Sequence, residues 1–512
     1  MSEGTGGRRI ALPVVSPSRS RPHPQAHDTS IRLITLGCDK NTVDSERIMA
    51  GLAAAGARLD DAEADVIVIN TCGFIDSARE ESVDTILEAV RLKHEGRVRA
   101  VVAMGCMVQR YRDDLIREIP EVDLFLGLTE THRLVPELRR RGLLAENLRD
   151  VPNMERPLRL LGRATHTSFL KISEGCDHAC AFCAIPLMRG KHRSTPMDVL
   201  VQEAIQLGAA GIVELSLVSQ DTTWYGRDLQ RGIGAGPAEW FVGRPFAGMS
   251  GVERAPAVRL PDEARDRRET KAGRGGLLTE LLRRLLDETG IPWFRLFYMY
   301  PSGIRPELVE LMADQPRLVN YLDMPIQHGS DDVLKRMKRP ERQATIRERV
   351  RWLRDAIPDI ALRTTVIAGF PGETEDDFEA MLELLEELRF DHVGAFPYSV
   401  EENTAAATMP DAVPESAKRD RLERIFDLQR AVSQERNERW IGRVVRVLID
   451  GNGEPEHAPG TARGRTEHQA LEIDGTVHVS CAADAKAGDF VDVRITDALD
   501  YELIGARIPV DG

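Results

Sequence analysis

Glu174-Gly-Cys-Asp-His-Ala-Cys-Ala-Phe-Cys183 sets three thiols within eight residues, spaced C-x3-C-x2-C. Residues 168–173, just before it, read as a strand, so the thiols stand on the loop that leaves a strand end. Downstream, strand-like runs recur at 212–218, 293–299, 319–325, 360–367 and 391–397, with helical segments between them such as 277–288 and 374–388. Six strand–helix units predict a partial (β/α)6 barrel, an α/β architecture with the cysteines on its first loop. Residues 228–275 break the rhythm: rich in Gly, Pro and Arg and without apolar period, they read as an inserted mobile loop that is dispensable for folding.

Upstream, a second pattern carries three more cysteines. Residues 31–37, 65–70 and 98–104 read as strands, with helices over 42–57, over 77–92 and after the third strand. Continuously apolar strands joined by helices predict a parallel sheet covered on both faces. Cys38, Cys72 and Cys106 are 34 positions apart and fall at or just past the ends of those strands. Parallel strands bring such ends to one edge, where α/β sheets bind ligands, so these thiols can converge. A polar helix over 415–440 leads to short alternating runs at 444–449 and 490–495 with Gly-rich turns, which predict a small C-terminal β-barrel.

Composition sets the limits. A chain of 512 residues exceeds one compact core, and 42% apolar with 29% charged residues is ordinary for a soluble globular protein. With 68 basic and 82 acidic residues the net charge is −14, which argues against sequence-independent nucleic-acid binding as the main function. No run approaches the roughly 20 apolar residues of a membrane helix. Residues 1–30 read as a disordered tail rather than a signal peptide, and the expected location is cytoplasmic. Seven cysteines are too few for a secreted disulfide framework, so clustered thiols point to metal or redox chemistry.

Three thiolates from one loop can hold three corners of a cubic iron–sulfur cluster and leave its fourth iron open to a small molecule. A structural zinc ion would need a fourth ligand, for which His178 and His192 are nearby candidates. A ferredoxin would supply four cysteines per cluster.

The set Cys176, Cys180 and Cys183 on the first loop of a six-unit barrel resembles the radical S-adenosylmethionine enzymes. The wider chain, over about residues 31–228 and 276–507, is similar to their methylthiotransferase subgroup. That subgroup has an N-terminal three-cysteine domain, a radical barrel and a C-terminal TRAM barrel, which here implies domains over 31–150, 162–436 and 437–507. Leu36-Gly-Cys-Asp-Lys-Asn-Thr-Val-Asp-Ser-Glu46 and Ser173-Glu-Gly-Cys-Asp-His178 are closest to the branch that methylthiolates the β-carbon of an aspartate in small-subunit ribosomal protein twelve.

The resemblance implies two 4Fe–4S clusters, one on Cys176, Cys180 and Cys183 and one on Cys38, Cys72 and Cys106. The first would bind S-adenosylmethionine and cleave it to a 5′-deoxyadenosyl radical; the second would carry the incoming sulfur, and a second S-adenosylmethionine would supply the methyl. The protein's share is to orient the radical and exclude side reactions. It further implies cofactor contacts at Glu214, Gln220, Asp221 and Arg363, and an electron donor such as a flavodoxin or ferredoxin. Tyr298 and Tyr300 read as barrel packing, Cys481 as a buried or inert thiol, and Gly369-Phe-Pro-Gly-Glu-Thr374 lacks the Lys-Ser/Thr of a phosphate loop.

Two rival functions share parts of the pattern: the sister enzyme that methylthiolates a tRNA adenosine, and a non-catalytic zinc- and RNA-binding protein. Residues 437–512 hold eight basic and fourteen acidic side chains, a balance of −6. Such a barrel repels phosphates and attracts a basic ribosomal protein of the small subunit, so the expected substrate is the protein rather than a nucleic acid.

Overall fold

The computed structural model describes residues 29–145, 159–161, 165–230, 276–453 and 460–509. The expected tail up to residue 28 and the expected insertion from residue 231 to 275 lie outside the described residues. Ser30, assigned to the tail, is instead the first residue of a strand.

The N-terminal sheet has five parallel strands: β1 (Ser30–Thr35), β2 (Arg58–Leu59), β3 (Val66–Thr71), β4 (Ala100–Gly105) and β5 (Leu124–Gly127). They lie side by side in the order β2-β1-β3-β4-β5. Every residue of β3 and β4 is buried. Their alternate side chains enter two cores, Val66, Val68 and Met104 on one face and Ile67, Ile69 and Val101 on the other. That two-sided burial is why these strands read as continuous apolar runs. Because β1, β3 and β4 are neighbours running the same way, the segments that follow them leave from one edge.

The central sheet is six parallel strands in sequence order: β6 (Thr167–Lys171), then, past a two-residue antiparallel pair β7 (Ser173–Glu174) and β8 (Arg193–Ser194), β9 (Glu214–Val218), β10 (Trp293–Leu296), β11 (Leu318–Asp323), β12 (Ala361–Ala368) and β13 (His392–Pro397). Helices between them, such as Met197–Ala209 and Leu277–Glu288, turn one apolar face inward and form the large core with Leu215, Leu217, Phe294 and Leu322. The sheet is open between β6 and β13, the partial barrel that six units predict.

Five strands, β14 (Val444–Asn452), β15 (Ala462–Thr466), β16 (Thr476–Ser480), β17 (Phe490–Ala498) and β18 (Glu502–Arg507), close a small C-terminal barrel. Most pairs are antiparallel, but β16 and β18 pair in parallel.

The small barrel docks on the starts of the central strands through a buried ionic seam. Arg465 Nη2 donates to Glu214 Oε2 at 2.7 Å and Arg465 Nε to Asp450 Oδ2 at 2.8 Å. Arg295 Nε donates to the other Glu214 oxygen at 2.7 Å, and its Nη1 to the Glu467 carbonyl at 2.8 Å. Burial alone would raise the Glu214 carboxyl, but Arg465 and Arg295 outweigh it and hold it at about 2. Removing one partner of a buried pair strands the other charge, so Arg465→Met should cost about 3–5 kcal/mol in urea unfolding at neutral pH. A carboxyl held that low stabilises fully above its ordinary value of about 4.3 and loses its contribution as pH falls toward 2. The wild-type seam should therefore weaken between those values, and the Arg465→Met chain, which keeps only Arg295 on Glu214, should lose part of that acid dependence. An unchanged urea midpoint in the variant would contradict this.

Candidate active site: two thiol triads facing one another

The N-terminal triad is built from three strand ends. Cys38 directly precedes the helix Asp39–Ala54, Cys72 follows β3 at once, and Cys106 opens the helix Cys106–Glu118. Two of the three thus sit at helix N-termini. Gly37 has φ +88°, and a Cβ there would lie 2.6 Å from Cys72 Cβ and 2.7 Å from its sulfur, so only glycine lets the two loops pass this closely.

Asn41, which the sequence reading did not single out, ties the triad together. Its Nδ2 donates to the Leu36 carbonyl at 2.8 Å and to the Thr71 carbonyl at 3.2 Å, the residues leading to Cys38 and Cys72. Its Oδ1 lies 3.7 Å from Cys106 Sγ. The available signal was a buried-type amide three residues after a cysteine, within a helix's first turn.

The second triad follows β7. Gly175 has φ +75°, and a Cβ there would meet the Lys191 carbonyl at 2.2 Å. This close approach lets the Cys176 amide donate to the Gly190 carbonyl at 3.0 Å, which folds the thiol loop back on itself. Cys180 Sγ lies 3.9 Å from Tyr300 Oη and 4.0 Å from Arg339 Nη1, whose guanidinium stacks 3.9 Å over the Tyr300 ring. Tyr300 is therefore a wall of the thiol loop, which corrects its reading as barrel packing: β10 ends at Leu296, so the aromatic lies on the loop beyond it. Burial pushes the Cys106, Cys176 and Cys183 thiols up to about 12 and also raises Cys72.

Of the histidines weighed as zinc ligands, His178 is engaged on its Nε2 side, whereas His192 keeps a buried Nδ1 without a hydrogen-bond partner among the described residues. His178 lies flat between Tyr300, 4.3 Å away and 4° from parallel, and Trp224 at 4.0 Å. Its Nε2 is 2.7 Å from Asp221 Oδ2. His192 Nε2 lies 3.2 Å from Ser194 Oγ.

Of the four expected cofactor contacts, the structure brings two to the triad. Asp221 orients His178 and accepts from the Thr223 amide at 2.9 Å. Gln220 donates to Glu174 Oε1 at 3.3 Å, while its own carbonyl oxygen is buried and without a hydrogen-bond partner among the described residues. Glu214 is a correction: it opens β9, whereas Gln220 and Asp221 follow that strand's other end, and both its oxygens are held in the seam by Arg295 and Arg465. Arg363 is a second correction. It donates to Asp323 at 3.0 Å and lies 3.5 Å from Asp474 of the small barrel, so it is not grouped with Gln220 and Asp221. Cys481 is exposed, with φ +60°, rather than buried.

The two triads meet. Arg189, at the end of the helix that follows Cys183, is buried and donates to Glu174 at 2.7 Å and Asp44 at 3.3 Å. It also donates to Asn41 Oδ1 at 2.5 Å. Lys171 pairs with the same two carboxylates. Burial opposes ionisation of Glu174, but Arg189 and Lys171 outweigh it and hold the carboxyl far below the usual range. Cys106 packs with Ala184 and Met188 from beside the second triad. One buried charge network thus joins both thiol sets.

The chain is similar in sequence to known proteins over most of its length. Residues 30–127 match the uncharacterized protein family UPF0004, residues 170–385 the radical SAM superfamily and residues 441–508 the TRAM domain. Ribosomal protein uS12 methylthiotransferase RimO of Anaeromyxobacter sp. (strain K) is 44% identical over 94% of this chain and 94% of its own. The RimO of Desulforudis audaxviator is 42% identical over 94% of this chain and 97% of its own. That of Geobacter sulfurreducens is 40% identical over 93% and 98%. The chain belongs to the RimO family. In this RimO family member each thiol triad falls in a different matched segment, and Arg189 joins the two segments. No helix among the described residues is long and apolar enough to cross a membrane.

Proposed function

We propose that this chain is a radical S-adenosylmethionine methylthiotransferase that places a methylthio group on the β-carbon of an aspartate in ribosomal protein uS12. One observation carries the reading: two three-cysteine sets, each at the C-terminal edge of its own parallel sheet, are joined by the Arg189–Asn41 contact.

The donor chemistry fits a cluster on each set. All six cysteines are free thiols, and His178 is engaged by Asp221. Three cysteines per set match three corners of a cubic cluster, whereas a structural zinc ion takes four protein ligands. When bound, the cluster on Cys176, Cys180 and Cys183 supplies radical cleavage of S-adenosylmethionine, and that on Cys38, Cys72 and Cys106 supplies an open iron for sulfur. The unpartnered Gln220 carbonyl, beside the first, suits the amine of S-adenosylmethionine. His178, clamped by Tyr300, Trp224 and Asp221, fixes the loop between Cys176 and Cys180 and limits water there. A small reductant protein of the flavodoxin or ferredoxin class supplies the electrons.

Charge favours protein over tRNA as the substrate. Setting aside the buried Arg465, Asp450 and Asp474, residues 437–512 keep seven basic and twelve acidic side chains, so the balance stays acidic. Phosphates are repelled by such a surface, and a basic ribosomal protein is drawn to it at rates that fall with added salt. The test is an anaerobic competition between uS12 and unmodified tRNA, with mass spectrometry of both. Methylthio-aspartate in uS12 alone is expected; methylthio-adenosine with unmodified uS12 would overturn the reading.

A further inference from the structure

Lys40 is a buried cation between the two triads. Its side chain is 7% exposed, and burying an ammonium is unfavourable unless strong partners replace its water. The group has three N–H donors. Among the described residues one reaches Asp39 Oδ1 at 3.3 Å, long for a bond between two charges. The ammonium also sits 3.3 Å from the centroid of the Tyr298 ring.

Tyr298 is held for this contact in a strained backbone conformation, with φ +58°. Its amide donates to Asp323 Oδ2 at 3.0 Å and its hydroxyl to Asp39 Oδ1 at 3.4 Å. Two residues further, Tyr300 touches Cys180; two residues before Lys40 stands Cys38. The ammonium therefore spans from the loop of one triad to the strand end that lines the other.

We propose that Lys40 is the specificity-determining residue that receives the side-chain carboxylate of the target aspartate. The inference rests on the assignment of an aspartate substrate. An incoming carboxylate gives the under-bonded ammonium a second anionic partner, in a site where a charge-assisted bond is strong. The β-carbon, bonded directly to that carboxyl carbon, is then held at a fixed reach from the ammonium, between the two sets of thiols. A nucleobase carries no carboxylate, so it offers the same buried cation only neutral acceptors and a weaker contact.

The test measures binding rather than turnover. Labelled uS12, and uS12 with its target aspartate changed to Asn, are titrated against full-length, anaerobically reconstituted enzyme by fluorescence anisotropy. Wild-type enzyme should prefer the Asp form by about tenfold to a hundredfold, the range of a buried charged hydrogen bond. Lys40→Met should bind both forms equally at undiminished iron content, and Lys40→Arg should recover part of the preference. Lys40→Gln, uncharged and closer in polarity, makes the same prediction should the Met variant load poorly. A wild-type preference that survives in both uncharged variants overturns the role of Lys40 alone. Wild-type enzyme that binds neither form of uS12 sinks the substrate assignment, and this inference with it.

Discussion

Alanine at Cys176, Cys180 and Cys183 together is expected to take S-adenosylmethionine cleavage to background while about four irons per chain remain. The expectation follows because each triad, although the two adjoin, is shaped by backbone and side-chain contacts of its own. The barrel triad hangs from the loop between β7 and β8, whose shape is set by backbone contacts such as Cys176 to Gly190 and Ala181 to Met337, none of which needs sulfur. The N-terminal triad is set by the ends of β1, β3 and β4 and by Asn41, which bonds the carbonyls before Cys38 and Cys72. Removing three sulfurs from the barrel loop therefore leaves the other set in place. Iron analysis and 5′-deoxyadenosine assay check both halves; loss of all iron would show that the sites do not load independently.

The reciprocal change has an equally large effect on a different readout. Alanine at Cys38, Cys72 and Cys106 should leave S-adenosylmethionine cleavage running while methylthio transfer falls to background. Cys180 keeps Tyr300 and Arg339 beside it, and His178 keeps its clamp, because these contacts come from the connections of the central barrel. What is lost is the site for sulfur. Cys106 also packs on Ala184 and Met188, so its truncation should lower stability modestly, by roughly 1 kcal/mol for a lost buried group of that size. Product analysis by mass spectrometry reads the outcome. Methylthio transfer at the normal rate in this variant would show that the sulfur enters elsewhere.

Much of the site was legible because the chemistry and the fold leave coincident marks. Residues of β3 and β4 are buried on both faces, so their apolar runs were continuous, and a cysteine after each marked a strand end. The helix after Cys38 begins at Asp39 rather than at residue 42, since its polar first turn carries Lys40 and Asn41 inward, against the usual rule that charge faces water. Two-residue strands such as β2, β7 and β8 leave no periodic signal at all.

Glu214 misled for a specific reason. An apolar run shows that a strand exists but not where its ends lie, and Glu214 opens β9 where a cofactor contact would have to follow it. Its two arginine partners come from β10 and from the small barrel, 81 and 251 residues away, a distance over which local pattern is silent. Arg363 was misplaced in the same way, since Asp474 reaches it from the other domain. Tyr300 and Arg339 were missed as neighbours of Cys180 because they come from a loop after β10 and from the turn after the helix Asp331–Arg336.

The central claim is that one chain carries two iron–sulfur clusters, one on each triad. Iron, acid-labile sulfide and zinc content of the anaerobically reconstituted wild-type protein tests it most directly. The account predicts about eight irons and about eight sulfides per chain without stoichiometric zinc; zinc bound in place of iron and sulfide would contradict it.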